Sequence, residues 1–362
     1  MPDGPAVGLD AADVDEPAPT VPLPGNRSAK GIVRSIHNEK TKGRHVVTRI
    51  QTLASRRCAL QAGAAGLAVL AVTALAAPAH AEPHMWVIQD EDSTIYLFGT
   101  VHMLDPSIEW RAERVTGALD EATQLWGEIA LPATLEEVQA QQVPVLMQRA
   151  LSPGRPLSSL LSDEEKVQLE RALARTPAPE RLGMALENMK PWFAAVTLGT
   201  SPLLNAGYEA GAGADIVLAR LAREQGDEVL GFETTEQQAD MLSGWTEEQQ
   251  LAALRVLLAV PDEEFDAGIA TADTAYRAWM DGDAGPVEAI IDRWRSGEDG
   301  LRSKTMPYDV FVANRNEAWA AQIEELLAGD GVAFIAVGAL HLVGPDSVQA
   351  RLAARGIETR PY

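Results

Sequence analysis

Apolar positions along the chain recur at two spacings, which predict alternating strands and helices. Strands are predicted at 84–89, 93–98, 124–127, 228–232, 332–337 and 357–360. Helices are predicted at 106–122, over most of 133–204, and at 215–225, 246–296, 308–328 and 345–355. This alternation predicts an α/β fold with a central mixed, largely parallel sheet flanked by helices. A mainly helical insertion is expected over about 133–226 and 246–306.

One short motif follows two of the predicted strands. Segments 95–106 and 334–345 each contain an apolar run, then Gly-x-x-His, three further residues and a proline. Proline is well tolerated at the first position of a helix, and Asp105 is a suitable N-cap for the first of the two predicted helices. A turn after a buried strand is where open α/β sheets form their ligand crevices. The sequence therefore predicts that His102 and His341 face one crevice.

Two carboxylates are expected at the same edge of the sheet. Glu128 follows the predicted strand at 124–127, and Glu233 ends the next one. Two imidazoles and one carboxylate match the ligand set of open catalytic metal sites, so His102, His341 and Glu128 are candidate metal ligands. Glu128 and Glu233 are also candidate catalytic groups, as a general base or as a group that orients a ligand. The alternatives are turn histidines without a ligand and a Glu233 that belongs to the next helix cap.

Arg315 lies on the apolar stripe of the helix predicted at 308–328. An arginine is almost never fully buried unless it is paired, so a carboxylate or a substrate oxyanion is expected to face it. It is therefore a candidate catalytic residue that stabilises an oxyanion, or else a structural partner of Glu128 or Glu233. The neighbouring Asn316 is expected to be a surface or helix-packing residue.

Composition narrows the choice of function. The formal net charge is −22, which would repel a phosphate backbone and argues against a nucleic-acid partner. Cys58 is the only cysteine, so the chain can form neither an internal disulfide framework nor a cysteine-ligated zinc site. The Gly-rich segment 207–213 does not follow a predicted strand, and it is interpreted as a connector and not as a phosphate cradle.

The N-terminal part of the chain resembles a targeting region. Arg56 and Arg57 precede an apolar segment, 59–81, that ends in small residues, as in a secretory signal peptide cleaved after Ala81. The preceding residues 1–58 lack apolar periodicity and are expected to be a disordered extension or the result of a mis-assigned start. An uncleaved membrane anchor is the alternative, and it would be the protein's only membrane contact. The sequence thus predicts a periplasmic or secreted protein.

Five marks in order give the chain a family resemblance. They are Gly99-Thr-Val-His102, Trp126-Gly-Glu128, Gly231-Phe-Glu233-Thr-Thr-Glu-Gln237, Asn314-Arg315-Asn316 and Gly338-Ala-Leu-His341. With these marks the chain resembles the TraB/GumN family, which also contains the Tiki proteases, over roughly residues 84–362. The resemblance implies an α/β fold similar to erythromycin-esterase-like and ChaN-like proteins. It also implies an active site at His102, Glu128, Arg315 and His341.

The function expected from these observations is a secreted or periplasmic metal-dependent hydrolase of the Tiki peptidase kind. Its cofactor would be a divalent ion such as Mn²⁺, Co²⁺ or Zn²⁺, and its substrate a peptide or a small molecule. Unlike the Tiki proteins, this chain shows no C-terminal membrane helix, so its substrate need not be tethered to a membrane. The alternatives are a non-catalytic haem- or metal-binding envelope protein and a structural envelope protein.

Overall fold

The computed structural model describes residues 82–362, so the predicted extension 1–58 and targeting segment 59–81 lie outside the described residues. The strands are β1 (Met85–Gln89), β2 (Ser93–Thr100), β3 (Gln124–Ile129), β4 (Glu228–Glu233), β5 (Gly331–Gly338) and β6 (Arg360–Pro361). The helices are α1 (Glu113–Glu121), α2 (Leu135–Ala150), α3 (Asp163–Ala174), α4 (Pro179–Leu186), α5 (Pro191–Asn205), α6 (Ala214–Gln225), α7 (Thr235–Ser243), α8 (Glu247–Leu258), α9 (Asp262–Met280), α10 (Gly285–Ser296), α11 (Gly300–Thr305), α12 (Asn314–Leu327) and α13 (Val348–Ala354). In this part of the chain, no helix has both the length and the apolar character needed to cross a membrane.

The strands form one mixed sheet in the order β4-β3-β5-β2-β1-β6. The four strands from β4 to β2 are parallel, whereas β1 and β6 are antiparallel to their neighbours. This arrangement confirms the predicted α/β class with a largely parallel sheet. The two strands that precede the Gly-x-x-His motifs, β2 and β5, lie side by side at the centre, and their apolar runs are almost completely buried.

The helices pack around two separate cores. One core covers the sheet and includes residues of α1, α6, α9, α10, α12 and α13. The second core is formed by leucine-rich faces of α3, α4, α5 and α8, without a strand. Part of the region predicted as a helical insertion therefore packs on the sheet itself, notably α6, which contacts β3, β4 and β5, and α9, whose Trp279 contacts β2. Helix α6 is the one that matters for the site, because it lies against the loop after β2.

Local signals at the helix ends are confirmed where they involve short-range hydrogen bonds. Ser162 and Thr234 each accept a hydrogen bond from the backbone N–H three residues later. The side chains of the residues at that position, Glu165 and Gln237, in turn accept a bond from the backbone N–H of the cap residue. Gly226 ends α6 in a left-handed conformation with φ of 90°. Thr234 is the cap of α7, so the alternative interpretation of Glu233 as part of that cap is wrong.

The helices predicted to begin at the two motif prolines begin later. The first, predicted at 106–122, begins at Glu113, because the side chain of Asp105 accepts from Ser107 N and pairs with Arg277 on α9 at 2.9 Å. Leu104 also forms a two-way backbone bridge with Glu209. These long-range contacts hold 101–112 as an irregular segment and outweigh its helical periodicity.

The second of these helices, α13, begins at Val348 and is capped by Ser347, whose side chain accepts from the backbone N–H of Ala350. Gly344, at φ 79°, and the backbone of Asp346, which accepts a bond from Asn316, keep the preceding residues in a turn. The long helix predicted at 308–328 opens with a π-helical segment, Asp309–Ala313, before α12. Such wider turns occur frequently at functional sites.

Replacing Gly99 with alanine is expected to destabilise the protein by about 1–3 kcal/mol, because an added Cβ would overlap the Trp279 indole ring. Trp279 is fully buried and donates its Nε1–H to Gly99 O at 3.0 Å, so it has little freedom to move. The matched change Gly117→Ala, in α1 with no atom near the added Cβ, should instead stabilise by about 0.5–1 kcal/mol. Urea denaturation of both variants measures the difference, and equal stabilities would contradict this packing role.

Candidate active site at the carboxyl edge of the sheet

Four predicted site residues lie at the carboxyl edge of the parallel strands. Glu233 ends β4, Glu128 is near the end of β3, and His341 and His102 follow β5 and β2. Because the strands are ordered β4-β3-β5-β2, these side chains follow one another along the edge in that same order. Arg315 reaches them from α12, so the structure brings all five predicted site residues together.

Glu128 is the centre of this group. Its Oε1 atom accepts the backbone N–H of Gly338 at 3.0 Å and lies 4.0 Å from His102 Nε2 and 3.9 Å from His341 Nε2. The two imidazole nitrogens are therefore within about 8 Å of each other and converge on Glu128. Only His102 also lines the open cavity, because His341 is buried behind Glu128. Burial alone would raise the pKa of Glu128, but the Arg315 guanidinium and the two imidazoles hold it well below the usual range.

Arg315 uses all five of its N–H donors within the protein. Its Nε donates to Glu233 Oε1 at 2.7 Å, and its NH2 donates to Glu233 Oε2 at 2.9 Å and Glu128 Oε2 at 2.5 Å. Its NH1 donates to Phe311 O and to His341 Nε2, each at 3.2 Å. A guanidinium has five donors, so none is left for a substrate oxyanion. Of the two interpretations of Arg315, the structure therefore supports the ion pair, and it pairs with both candidate carboxylates.

His341 is held by a neighbour of Arg315. The buried Asn316 donates its Nδ2–H groups to the carbonyls of His341 and Asp346, so its Oδ1 faces His341 Nδ1 at 2.6 Å as an acceptor. This contact places the His341 proton on Nδ1 and leaves Nε2 with a lone pair. Burial lowers the pKa of His341 to about 3, so the ring is neutral. Of the two expectations for Asn316, the surface position is wrong, because the residue is completely buried on the packed face of α12.

His102 is held differently and is open to solvent. Its side chain is 63% exposed, and its Nδ1 lies 2.9 Å from Asp215 Oδ2 in the first turn of α6. The loop before α6 is tied to the motif turn, because Ala214 N donates to Val101 O at 2.9 Å. A Cβ at Gly213 would overlap the His102 carbonyl, so this approach requires glycine. The Asp215 carboxylate raises the pKa of His102 to about 9.

The glycines of the two motifs have different functions. In the sheet register Gly338 lies opposite Thr100, and Gly99 lies opposite Val337, so the motifs are offset by one residue. Gly99 makes room for an indole ring, whereas a Cβ on Gly338 would lie 3.0 Å from Glu128 Oε1 and 4.0 Å from His102 Nε2. The two copies of the motif are therefore not equivalent: His102 is exposed after its strand, whereas His341 is buried in the short helical turn Ala339–Leu342.

We expect His102 to titrate near pH 9 in the metal-free protein and Asp215→Asn to return its pKa toward about 6.5. The raised pKa means that the pair stabilises the fold fully below about pH 6.5, and that this stabilisation is lost as the pH rises through about 9. NMR titration of the imidazole resonances, with a chelator present, measures both values. The resonances of His84, which lies outside the site, should be unaffected by the substitution. Identical His102 titrations in the two proteins would rule out this pairing.

The donor atoms of the site meet several requirements of a divalent metal. Both histidines have Nδ1 bound to a side-chain oxygen and turn Nε2 toward Glu128, as metal-ligating histidines do. Glu128, Glu233 and Asp215 carry three negative charges, whereas Arg315 and, below about pH 9, the protonated His102 carry two positive ones, which leaves one negative charge to be compensated. Donor type, orientation and charge therefore fit a divalent cation. In residues 82–362 no three acidic, histidine or cysteine side chains enclose a metal as they stand.

A cavity of about 300 Å³ opens beside these residues. Its polar end is formed by His102, Glu128, Asp215 and Gln238, and its remaining wall is mainly apolar. Gln238 bridges the two carboxylates, since its Nε2 donates to Glu128 Oε2 at 3.3 Å and to Glu233 Oε2 at 3.2 Å. Glu128 is thus both a wall of the cavity and the centre of the buried network.

Fold and site together define an α/β protein whose polar centre is built from strand ends at one edge of a parallel sheet. The chain belongs to the TraB/PrgY/gumN family, whose family model matches residues 84–361. It is similar to an "Uncharacterized protein" of Treponema pallidum (strain Nichols), with 23% identity over 337 residues, 85% of this chain and 96% of the relative. It is also similar to "Uncharacterized protein YbaP" of Escherichia coli (strain K12), with 26% identity over 199 residues, 52% of this chain and 67% of the relative. No solved structure matches the chain significantly.

Proposed function

We propose that this protein is a metal-dependent hydrolase that cleaves a peptide or another small acyl compound. The observation that supports this proposal is the orientation of the two histidines. Both have Nδ1 bound by a side-chain oxygen, and both turn Nε2 to the same oxygen of Glu128. His102 is exposed, whereas His341 is buried and Glu128 is largely buried, so one side of the site is open to substrate, as open catalytic sites require.

In this proposal His102, His341 and Glu128 hold the metal. Bound there, a divalent ion lowers the pKa of water and polarises a carbonyl. Glu128 is assigned as a ligand and not as the general base, because its lowered pKa makes it a weak proton acceptor. Loading of the site requires Arg315 to release the Nε2 atom of His341, to which it donates at 3.2 Å.

Three residues act as positioning residues. Arg315 and Glu233 form a two-bond pair, and Arg315 also donates to Glu128 Oε2, so that the other oxygen, Oε1, stays turned toward the two imidazoles. Asp215 fixes the ring of His102 from the opposite side and directs its Nε2 into the crevice. None of the three needs to touch the substrate for this function.

The test is hydrolysis by the purified protein after chelation and reloading with Zn²⁺, Mn²⁺ or Co²⁺. A fluorogenic peptide library is expected to be cleaved only by the reloaded protein, and not by His341→Ala. The control is His84→Ala, a histidine that stacks on Trp86 outside the site. Equal cleavage in the presence of chelator would overturn the metal requirement, and tight metal uptake without cleavage would favour a metal carrier.

We also propose that the reaction takes place in the periplasm or outside the cell. The support is the basic, apolar and small-residue order of the segment 56–81, which is typical of a secretory signal. N-terminal sequencing of the protein recovered from the periplasm or medium tests this. A mature chain beginning at Glu82 is the expected result, and retention of the protein in the cytoplasm would contradict it.

A further inference from the structure

The cavity beside the polar centre is lined mostly by aliphatic side chains. Leu125, Ile129 and Val229 contribute the floor from β3 and β4, Ile216 lies on α6, and Val138 covers the cavity from α2. Ligand pockets are typically apolar with a few polar groups at defined positions. Here His102, Glu128, Asp215 and Gln238 lie together at one end, and Gln142 of α2 is a further polar side chain of the lining.

The charges at the cavity restrict what it can bind. Among the residues that line it in the described part of the chain there is no lysine or arginine. The lining carboxylates are Glu128 and Asp215, both next to the polar centre. The His102 imidazolium is the cationic group of the lining, and it is already paired with Asp215 and faces Glu128. An anionic group would therefore meet two carboxylates and no unpaired cation, whereas an uncharged apolar group would contact the aliphatic side chains of the lining.

We propose that this cavity is a subsite that binds one uncharged apolar side chain of the substrate, aliphatic or aromatic, next to the bond that is cleaved. The volume of about 300 Å³ is about twice that of an apolar cavity known to accept benzene, which leaves room for one side chain and its adjoining backbone unit. This inference rests on the proposed function, because it takes the polar centre as the place where the bond is cleaved.

The test uses binding to the metal-free protein, so that its outcome is independent of catalysis. N-acetyl-leucinamide, N-acetyl-phenylalaninamide, N-acetyl-glycinamide and the N-acetylated amide of aspartate are titrated while NMR follows the isoleucine and leucine methyl groups. The leucine and phenylalanine compounds should bind at least about tenfold more tightly than the glycine compound, since each buries a large apolar side chain. The aspartate compound should bind no better than glycine.

Two valines of α2 provide matched variants. Val138→Trp fills the cavity and should weaken binding of the leucine compound by about tenfold or more. Val143→Trp lies on the same helix at a position that is 40% exposed and outside the cavity lining, so it should leave binding unchanged. Should Val138→Trp fail to fold, the ligand series on the unaltered protein still decides the question.

The outcomes separate this inference from the proposed function. Equal binding of all four compounds, preference for aspartate, or an equal effect of both tryptophan variants would overturn the subsite. Selective binding of the apolar compounds that Val138→Trp abolishes would support it. If such binding occurs but no peptide is ever cleaved by the reloaded protein, the proposed function fails while the apolar binding site stands.

Discussion

Replacing Arg315 with methionine is expected to lower the free energy of unfolding by about 3–5 kcal/mol, although methionine preserves the unbranched apolar stem of the side chain. The loss arises because Glu128 and Glu233, with side chains only 12% and 16% exposed, would lose their shared cation and face each other as unpaired charges. His341 would also lose the N–H that Arg315 donates to its Nε2. Urea denaturation followed by circular dichroism measures the change.

The matched control is Arg155→Met. Arg155 pairs with Glu247 at 2.6 Å, but both side chains are about half exposed, so the same substitution should cost no more than about 1 kcal/mol. A loss of less than 1 kcal/mol for Arg315→Met, equal to that of the control, would show that the network at the sheet edge does not depend on this guanidinium.

Glu128→Gln is expected to weaken binding of Zn²⁺ by more than about 100-fold, which exceeds the usual effect of residues that only orient a ligand. The substitution preserves volume but removes the negative charge that faces both imidazoles, and the new amide must face either Gly338 N–H or Arg315 with N–H groups of its own. Hydrolysis by the reloaded protein should be lost as well. Isothermal titration calorimetry measures the affinity.

Glu228→Gln is the control for this change. Glu228 begins β4 at the opposite edge of the same sheet, is exposed, and accepts a hydrogen bond from Gln124 at 3.3 Å. Its replacement should leave Zn²⁺ affinity within about twofold, since an exposed charge at the opposite edge of the sheet is largely screened from the metal site by solvent and salt. If both variants bind Zn²⁺ as tightly as the unaltered protein, Glu128 is not a ligand.

Much of the site could be predicted because its residues end buried parallel strands. A strand that is buried on both faces can present polar groups only at its ends, so an apolar run followed by histidine or glutamate identifies an edge position. Such positions are occupied by His102, Glu128, Glu233 and His341. The apolar stripe around Arg315 likewise required a buried partner, and both of the expected carboxylates are its partners.

Asp215 and Asn316 were missed for different physical reasons. An aspartate in the first turn of a helix is ordinary, because the helix N-terminus favours negative charge, so the sequence around Asp215 carries no distinct signal. Asn316 did carry one, since it precedes Trp319, Ala320 and Ile323 at spacings of three, four and seven on the buried face. The late start of α1 could not be predicted, because contacts with Glu209 and Arg277 hold the preceding residues.

X-ray absorption spectroscopy at the zinc edge of the loaded protein tests the central claim most directly. The account predicts about one zinc per chain, with nitrogen and oxygen ligands at about 2.0–2.2 Å and the outer scattering of two imidazoles. One imidazole should be lost in His102→Ala and in His341→Ala, and both should remain in His84→Ala. Less than about a tenth of a zinc per chain, or a coordination shell without imidazole that these variants leave unchanged, would contradict a metal centre at this edge of the sheet.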